Sequence, residues 1–224
     1  MKQNRTLFVG FTLVAFSVLS MLVGWLWTPY DPLEMNPDVS FAPPSMSHLL
    51  GTDVFGRDVL SNIMIGARST LVVALVSVLI GVVLGSVVGV ATALAPAKAR
   101  QLSVFGIDIV LALPSVLFAI VLAAVYGAST LTATIAIGIA LSAAIAQVTR
   151  RETSQVLRSD YVAAAKVSGS GTGQIIRLHV LPNILPSLLV QASGAVAIAI
   201  LAESTLSYLG LGTTPPTPSW GRML

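Results

Sequence analysis

Charged residues are scarce in this chain of 224 residues: Asp, Glu, Lys and Arg make up only 9% of it, whereas 55% is hydrophobic. A soluble domain carries about 25% charged residues, so these few charges cannot cover the surface of a water-soluble globular enzyme. The same apolar excess excludes an intrinsically disordered chain. Cysteine is absent altogether, which excludes a disulfide framework, thiolate metal sites and cysteine nucleophiles.

Long runs without a charged residue separate the few charges from one another. A helix needs about 20 apolar residues to cross a hydrocarbon core of about 30 Å, and these runs lack the short alternating segments of a membrane β-barrel. They predict an all-α, polytopic membrane protein. Five transmembrane helices are predicted, at residues 7–27, 70–95, 107–125, 130–149 and 184–206, with a turn at residues 126–129 between the third and the fourth.

The basic residues predict the orientation of these spans. If the N-terminus is cytoplasmic, nine of the 12 Lys and Arg residues lie inside, as the positive-inside rule expects. The net charge of +3 is then a signal of topology, whereas a nucleic-acid-binding protein would cluster its basic residues on one exposed face. The first run is too long for the core of a signal peptide and ends in aromatic residues, so it is predicted to be an uncleaved anchor.

The second and third spans contain residues that indicate packing and bending. Gly81, Gly85 and Gly89 stand four residues apart, which lets another helix approach one face closely. Pro114 is predicted to kink the third span because it removes a helical hydrogen bond. Asp108, near the start of that span, has two interpretations. An ionisable residue inside a membrane is a candidate functional group, whereas an Asp at a helix start also serves as a cap, and we favour the cap.

The predicted outer loop, residues 28–66, contains the sequence Gly51-Thr52-Asp53-Val54-Phe55-Gly56-Arg57-Asp58. Its glycines allow tight turns, and its charged residues are expected to pair with one another at a helix start. The spacing of apolar residues over 58–68 predicts a short amphipathic helix on the membrane surface. Taken alone, this pattern is typical of a solvated loop with a helix cap.

The segment 150–182 is the most polar part of the chain and is predicted to be cytoplasmic. Ser159 is expected to cap a helix whose first residue is Asp160. Gly169 is expected to end that helix, because glycine is favoured just past a helix C-terminus.

A second short helix is predicted in the same segment, at residues 174–180. Thr172 is expected to cap it, and Pro182 is expected to stop it. The surface of the resulting hairpin is rich in alanine and poor in charge, unlike a solvated linker. We therefore predict that the hairpin docks onto a partner on the cytoplasmic side.

Patterns that would indicate catalysis or nucleotide binding are missing from the sequence. It contains no Gly-x-x-x-x-Gly-Lys-Ser/Thr loop, no His-Glu-x-x-His pattern and no Gly-x-Ser-x-Gly elbow. His48 and His179 lie on opposite sides of the predicted membrane, so they cannot share a metal. We therefore predict no catalytic residue, no metal site and no cofactor in this chain, which is expected not to be an enzyme.

Several stretches carry a resemblance to a known family. Residues 160–166, followed by Gly169 and by Leu181-Pro182-Asn183, resemble the EAA loop of ABC importer permeases. More narrowly, the chain resembles the second, C-type permease subunit of dipeptide, oligopeptide and nickel ABC importers. The stretches that carry this narrower resemblance are 50–58, 108–114 and 202–221, and the resemblance covers essentially the whole chain.

This resemblance implies a type I ABC importer permease fold in the bacterial cytoplasmic (inner) membrane, with several spans and a cytoplasmic N-terminus. Residues 1–66 would hold the first span and the outer-loop motif, and residues 67–224 the permease domain with a coupling segment at 150–182. The function implied is that of a transmembrane permease subunit of an ATP-driven importer for peptides or related small solutes.

The resemblance also implies the partners of the chain. A cytoplasmic ABC ATPase would receive the coupling segment and would bind the ATP and Mg that this chain does not bind. A homologous second permease would complete the pathway in the lipid bilayer, and an extracytoplasmic substrate-binding protein would deliver the solute. No nucleic acid is expected.

Individual residues take their roles from the same resemblance. ATPase coupling is assigned to Tyr161, Ala163, Ala164, Ala165, Lys166, Gly169, Leu181 and Pro182. The outer-loop motif comprises Gly51, Thr52, Asp53, Gly56, Arg57 and Asp58, with a structural role or a contact to the binding protein. Two departures accompany it: the family usually has Glu at the position of Ala163, which is expected to alter coupling, and it has six spans where this sequence predicts five.

Two other classes of membrane protein are alternatives to a permease. A stand-alone secondary transporter or channel would have ionisable residues at mid-span and internal repeats, but Asp108 and Glu203 lie near the predicted span ends. An intramembrane enzyme would need a Ser/His, Asp/Asp or metal-binding arrangement within the spans, and the sequence offers none.

Overall fold

The structure is a computed structural model that describes residues 2–224, with side chains from residue 8 onward. Over these residues it consists of helices and loops with no strand, so the all-α prediction is confirmed. The helices are α1 (Lys2–Leu26), α2 (Val59–Leu94), α3 (Ala97–Ala112), α4 (Ser115–Tyr126), α5 (Thr130–Val156), α6 (Asp160–Val167), α7 (Thr172–Ile175) and α8 (Leu181–Tyr208). Short 3₁₀ turns lie at Pro37–Val39 and Trp220–Arg222.

Four described helical stretches are long and apolar enough to cross a membrane: Phe8–Leu26, Val59–Leu94, Thr130–Val156 and Thr172–Tyr208. The pair α3 and α4 passes the same test only when taken together, and it is bent by 90° at the break between the two helices. Each of the five predicted spans therefore has a counterpart. The predicted turn between the third and fourth spans is confirmed, since α4 ends at Tyr126 and α5 begins at Thr130.

Helix α2 begins eleven residues before the predicted second span, because no residue breaks the helix between Val59 and the apolar run. The prediction of a separate amphipathic helix on the membrane surface over 58–68 was therefore wrong. Instead, these residues form the first turns of a helix of 36 residues. Ser61, Met64 and Ala67 are buried in these turns. A helix lying on the membrane surface would instead leave a polar residue such as Ser61 exposed to water.

The third predicted span is two helices and not one kinked helix. α3 begins at Ala97, ten residues earlier than predicted, and ends at Ala112. α4 begins at Ser115, after an extended Leu113 and Pro114. Pro114 lacks the N–H that would continue α3, and it disfavours a helical conformation for the residue before it, so the helix stops where it could have bent.

Pro182 does not stop a helix, and that prediction was also wrong. The helix runs from Thr172 through α7, a π-helical turn at Ile176–Val180 and α8 without interruption. In the π-helical turn the N–H of Leu181 bonds to the carbonyl of Ile176, five residues back. The wider turn makes room for the ring of Pro182, which would otherwise collide with the carbonyl four residues before it.

The chain divides into two compact units. The first comprises the described residues up to Val73, with Ala128–Thr130 and Glu203–Leu224, and the second comprises Ala74–Gly127 and Leu131–Ala202. The second unit contains an apolar core made by α5, α6, α7, the π-helical turn and α8. The buried members of that core are Ile145, Val156, Val162, Ile175, Val180, Ile184 and Leu188.

Candidate functional site

The hairpin in the 150–182 segment is fixed to the second unit through one side chain of α6. Val162 is fully buried in the core formed by the ends of α5 and α8 and by the π-helical turn. Its neighbours in α6 turn away from that core, and Tyr161 is 47% exposed while Val167 is 90% exposed. The short helix is therefore anchored on one side and open on the other.

The residues predicted to couple to an ATPase lie mostly on the open side of this hairpin. Ala163, Ala164 and Lys166 are exposed, and Ala165 is half-buried. Leu181 is 44% exposed and Pro182 is exposed at the start of α8. The exposed side thus combines small and apolar side chains with a single cation, which suits contact with a protein surface better than contact with water.

The ends of α6 lie where the sequence predicts them. The helix begins at Asp160, although the hydroxyl of Ser159 donates to the carbonyl of Val156 and does not cap the new helix. It ends before Gly169, which has a left-handed φ of 86°. The N–H of Gly169 and that of Ser170 then bond back to carbonyls of the last turn, at 3.0 Å each. Thr172 is the first residue of the next helix, and Gly171 takes the capping position predicted for it.

An aromatic contact joins the two arms of the hairpin. The rings of Tyr161 in α6 and His179 in the π-helical turn have centroids 5.7 Å apart and planes inclined by 51°. The side-chain amide of Asn183 donates to the carbonyl of His179 at 2.7 Å. A π-helical turn changes the register of the residues that follow it and is frequent at functional sites, and here it carries the ring that faces Tyr161.

The motif at 51–58 forms a closed turn in the 28–58 loop. Asp53 Oδ1 accepts hydrogen bonds from the N–H of Phe55 and of Arg57 at 2.8 and 2.9 Å, and Asp53 Oδ2 pairs with Arg57 Nε at 3.1 Å. Gly56 has a left-handed φ of 72°, and a Cβ on it would collide with the carbonyl of Asn36. Glycine is therefore required at position 56, where the turn passes close to the backbone of Asn36.

Asp58 holds the start of α2 and does not pair with Arg57 or Asp53 as expected. Its Oδ2 accepts the N–H and the hydroxyl of Ser61, both at 2.8 Å, and its Oδ1 lies 3.0 Å from Nδ1 of His48. Burial alone would raise the pKa of Asp58, but the hydrogen bonds from Ser61 and His48 and the charge of His48 outweigh it and hold that pKa below its usual value. The remaining motif residues, Gly51 and Thr52, tie the same turn to residues 39–48 through hydrogen bonds.

The glycines predicted for close packing lie against α5 within the second unit. A Cβ on Gly85 would come within 2.6 Å of the carbonyl of Ser142, and one on Gly89 within 2.6 Å of Cβ of Thr149. Gly81 faces Leu141 in the same way, at 3.0 Å. The contact surface between α2 and α5, called the seam here, therefore requires glycine at these three positions. Three buried hydroxyls on these two helices, those of Ser86, Thr149 and Thr153, have no hydrogen-bond partner among the described residues.

Asp108 does not cap a helix, so the interpretation favoured from the sequence was wrong. It is the twelfth residue of α3, which begins at Ala97. Its side chain is exposed, and the described residues include no ion pair or hydrogen bond to it. Pro114 lies six residues further on, at the break with α4.

A buried polar cluster near the end of α8 was not predicted from the sequence. Glu203 is fully buried, and its Oε1 accepts the hydroxyls of Ser207 at 2.6 Å and of Thr213 at 3.1 Å. The hydroxyl of Ser207 in turn accepts the N–H of Thr213 at 2.9 Å. The indole of Trp220 donates to the carbonyl of Ile63 at 3.1 Å. The sequence signal was the 202–221 stretch itself, whose polar residues stand out in an apolar surrounding.

These features define a multi-pass helical membrane protein that has a hairpin with one exposed face and, among its described residues, no group of three metal-ligating side chains. Residues 78–224 match the family described as "Binding-protein-dependent transport system inner membrane component". The chain therefore belongs to that family, whose members are components of transport systems and not enzymes.

Two relatives support this assignment over most of the chain. The di/tripeptide transport system permease protein DppC of Pseudomonas aeruginosa (strain UCBPP-PA14) is 39% identical over 211 residues, covering 92% of this chain and 69% of that protein. The dipeptide transport system permease protein DppC of Escherichia coli (strain K12) is 37% identical over 230 residues, covering 100% of this chain and 76% of that protein. The resemblance to the C-type permease subunit is thereby confirmed.

Proposed function

We propose that this chain is a permease subunit of an ATP-driven importer for peptides, and that the hairpin in its 150–182 segment couples it to a cytoplasmic ATPase. The observation that carries the proposal is the exposed face of α6, where Tyr161 and Val167 stand clear of a core that holds Val162. The names of the two DppC relatives support peptides as the transported solute.

The hairpin has the mechanical properties that coupling requires. A docking element must present a surface to its partner and must also be joined firmly to the helices that it moves. Val162 supplies the joint, because it packs against Ile175, Val180 and Ile184 at the start of the helix that leads into α8. A push on α6 is therefore transferred to α8 through packed side chains.

The remaining parts of the proposal concern orientation and partners. The N-terminus lies in the cytoplasm of a bacterium, and the 28–58 loop lies outside, where its 51–58 turn contacts a substrate-binding protein. A second, homologous permease completes the pathway. ATP and Mg bind to the partner ATPase, and this chain binds no cofactor of its own.

Motion during transport takes place at the seam and the break described above. Alternating access needs helices that pack in two discrete ways. The glycine-lined seam between α2 and α5 and the break at Pro114 are the two places where close packing and a missing hydrogen bond allow such repacking.

The experiment that tests this function is a purification in mild detergent followed by a coupling assay. The tagged chain is expected to bring down an ATPase and a second permease. Ala164→Glu, which places a charge on the exposed side of α6, is expected to reduce transport at least tenfold while the chain remains folded. A matched control is Ala99→Glu, which adds the same charge at an exposed position of α3.

Two results would contradict the proposal. One is a purified chain that carries neither an ATPase nor a second permease. The other is an Ala164→Glu variant whose transport and ATP hydrolysis match those of the Ala99→Glu control.

A further inference from the structure

We propose that three exposed apolar side chains of the 28–58 loop, those of Phe41, Val54 and Phe55, form a docking surface, called the apolar patch here. The partner that fits it is a protein whose matching face is apolar at its centre and basic at its edge. In the importer proposed above, that partner is the substrate-binding protein. The inference rests on the proposed function and adds to it the residues that make the contact and the chemistry of the partner's face.

The apolar patch is carried by two segments of the loop that are hydrogen-bonded side by side, residues 36–42 and 52–56. The N–H of Phe41 donates to the carbonyl of Asp53 at 3.1 Å. The hydroxyl of Ser40 donates to the carbonyl of Val54 at 2.7 Å. These bonds fix the backbone on both sides of the patch, so little ordering is required when a partner binds.

The side chains of the patch present their apolar surface outward. Phe41 is 73% exposed, Val54 53% and Phe55 49%. The guanidinium of Arg57 lies over the ring of Phe55, 4.5 Å from its centroid, and is itself paired with Asp53. The ring of Phe55 is therefore held in place from within the loop. Neighbouring apolar side chains on a fixed loop are typical of an interaction surface, where aromatic residues act as anchors.

Phe41 has a backbone conformation that a bulky side chain disfavours. Its φ is 54°, and among the described residues it is the only one other than glycine with a positive φ. Such a residue is an outlier, and strained residues of this kind cluster at functional sites. Packing does not account for the phenyl ring, because most of it is exposed. A ring held at the surface against this strain indicates that contact with a partner is its role.

The charge of the loop decides which partner fits the patch. The 28–58 loop contains five acidic residues, and apart from His48 its only basic side chain is Arg57. Because Arg57 is paired with Asp53, exposed carboxylates set the charge of the loop: Asp31, Glu34 and Asp38.

This negative charge disfavours two other occupants of the patch. An anionic lipid surface would repel the loop. The buried core of a permanent interface, such as one with a second permease, is depleted of charged residues. A partner that arrives and leaves is instead steered by complementary charge. A substrate-binding protein must arrive and leave at each delivery, so a basic edge around an apolar centre is the face expected of it.

A thiol in the patch shows which surface covers it. Because the chain contains no cysteine, Val54→Cys gives this subunit a single thiol, whose labelling by a water-soluble maleimide is followed by the mass of the subunit. In the assembled complex the thiol is expected to react freely, both in detergent and in proteoliposomes. The purified substrate-binding protein, added at about ten times its Kd, is expected to slow labelling about tenfold, because about a tenth of the sites is then free.

Two labelling results would overturn the assignment. A thiol that is protected in detergent and in proteoliposomes before the substrate-binding protein is added would give the patch to the second permease. A thiol that is protected only in proteoliposomes would give it to the lipid surface.

Phe41→Asn separates docking from folding, because asparagine tolerates a left-handed backbone. Its Tm is expected to equal or exceed that of wild type. Its Kd for the substrate-binding protein is expected to rise about tenfold or more, as for the loss of an aromatic anchor. The matched control is Met46→Asn, since Met46 is 98% exposed but belongs to the turn at residues 45–48 and to neither hydrogen-bonded segment. The control is expected to bind as wild type does.

Neutralising the loop tests the charge of the partner's face. The double variant Glu34→Gln, Asp38→Asn is expected to slow association with the substrate-binding protein several-fold at low salt. At high salt its association rate is expected to match that of wild type, because screening removes the steering. An association rate at low salt that is unchanged or faster would contradict a basic edge on the partner.

Failure of the docking surface is distinct from failure of the proposed function. A Phe41→Asn complex that binds the substrate-binding protein as tightly as wild type, or an equal loss in Met46→Asn, would remove the patch from the contact. The importer function would still stand in both cases. A wild-type complex that neither binds a substrate-binding protein nor imports dialanine would count against both proposals.

Discussion

The ring of Tyr161 faces the ring of His179 across the hairpin, with centroids 5.7 Å apart. Tyr161 belongs to the exposed helix α6, whereas His179 belongs to the π-helical turn that continues into α8. Together with buried Val162, this contact joins the exposed face of the hairpin to the helix that continues into α8.

His179→Ala is expected to weaken coupling more than folding. An aromatic pair contributes about 0.5–1.5 kcal/mol beyond its buried area, so its loss is expected to lower solute transported per ATP hydrolysed by about two- to tenfold. The measurement is the ratio of transport to ATP hydrolysis in the reconstituted complex. His179→Phe retains a ring and is expected to preserve the ratio, and an equal defect in both variants would show that the ring contact is not the cause.

Gly85→Ala is expected to destabilise the second unit. The new Cβ would lie 2.6 Å from the carbonyl of Ser142 and 2.8 Å from Cβ of Ile145, so α2 and α5 must separate. Overpacking of this kind costs about 1–3 kcal/mol, which should appear as a lower Tm in detergent. Gly194→Ala is the control, because no atom lies within 4 Å of its added Cβ. Equal Tm values for the two variants would contradict the close packing of the seam.

Asp58→Asn is expected to lower stability at neutral pH but not in acid. The pKa of Asp58 is lower in the folded chain than the value of about 3.9 expected when unfolded. Its contribution is therefore fully present above about pH 4 and is lost as the pH falls through the lowered folded-state pKa. Asn keeps an acceptor oxygen for the cap, so the cost at neutral pH is that of the lost charge, about 1 kcal/mol, because hydrogen bonds to charged groups are stronger than neutral ones.

The difference in Tm between wild type and Asp58→Asn should shrink as the pH is lowered toward about 3. Asp38→Asn is a matched control, since Asp38 is exposed in the same loop. A difference that stays constant between neutral and acid pH would show that the charge of Asp58 does not stabilise the fold.

Glu203→Ala is expected to loosen the residues that follow α8. It leaves the buried hydroxyls of Ser207 and Thr213 without their acceptor, at a cost of about 2–4 kcal/mol for two such groups. Glu203→Gln keeps an oxygen that accepts both hydroxyls, so its Tm should stay within a few degrees of wild type. The Tm values of the two variants test this hydrogen-bond network. A Tm for Glu203→Gln as low as that of Glu203→Ala would contradict the prediction.

The spans were predictable because a membrane leaves apolar length as the dominant signal. The gaps between charged residues located five spans, and Gly169 marked the end of α6 by its need for a left-handed conformation. The sequence did not reveal that the helix over 58–68 continues into the second span, because Ser61 and Asn62 are polar yet buried. Their burial depends on partners such as Asp58 and Tyr30, which the local pattern does not reveal.

The breaks and the polar clusters could be predicted only in part. Pro114 predicts a missing hydrogen bond, but the 90° change of direction depends on what α3 and α4 pack against. Pro182 predicts a helix end in isolation, but the π-helical turn before it accommodates the ring. Ser207, one partner of Glu203, lies four residues away on the same helix, but the other partner, Thr213, is ten residues away in a loop, beyond the reach of helical periodicity.

The three buried hydroxyls on α2 and α5, those of Ser86, Thr149 and Thr153, have a thermodynamic consequence. A hydroxyl that has lost its water and gained no partner costs about 1–3 kcal/mol. Any shift of the two helices that admits a water or supplies an acceptor would recover part of that cost and so offset the contacts that the shift breaks. At this seam steric fit favours the observed register, and the three unsatisfied hydroxyls lower the free-energy cost of leaving it.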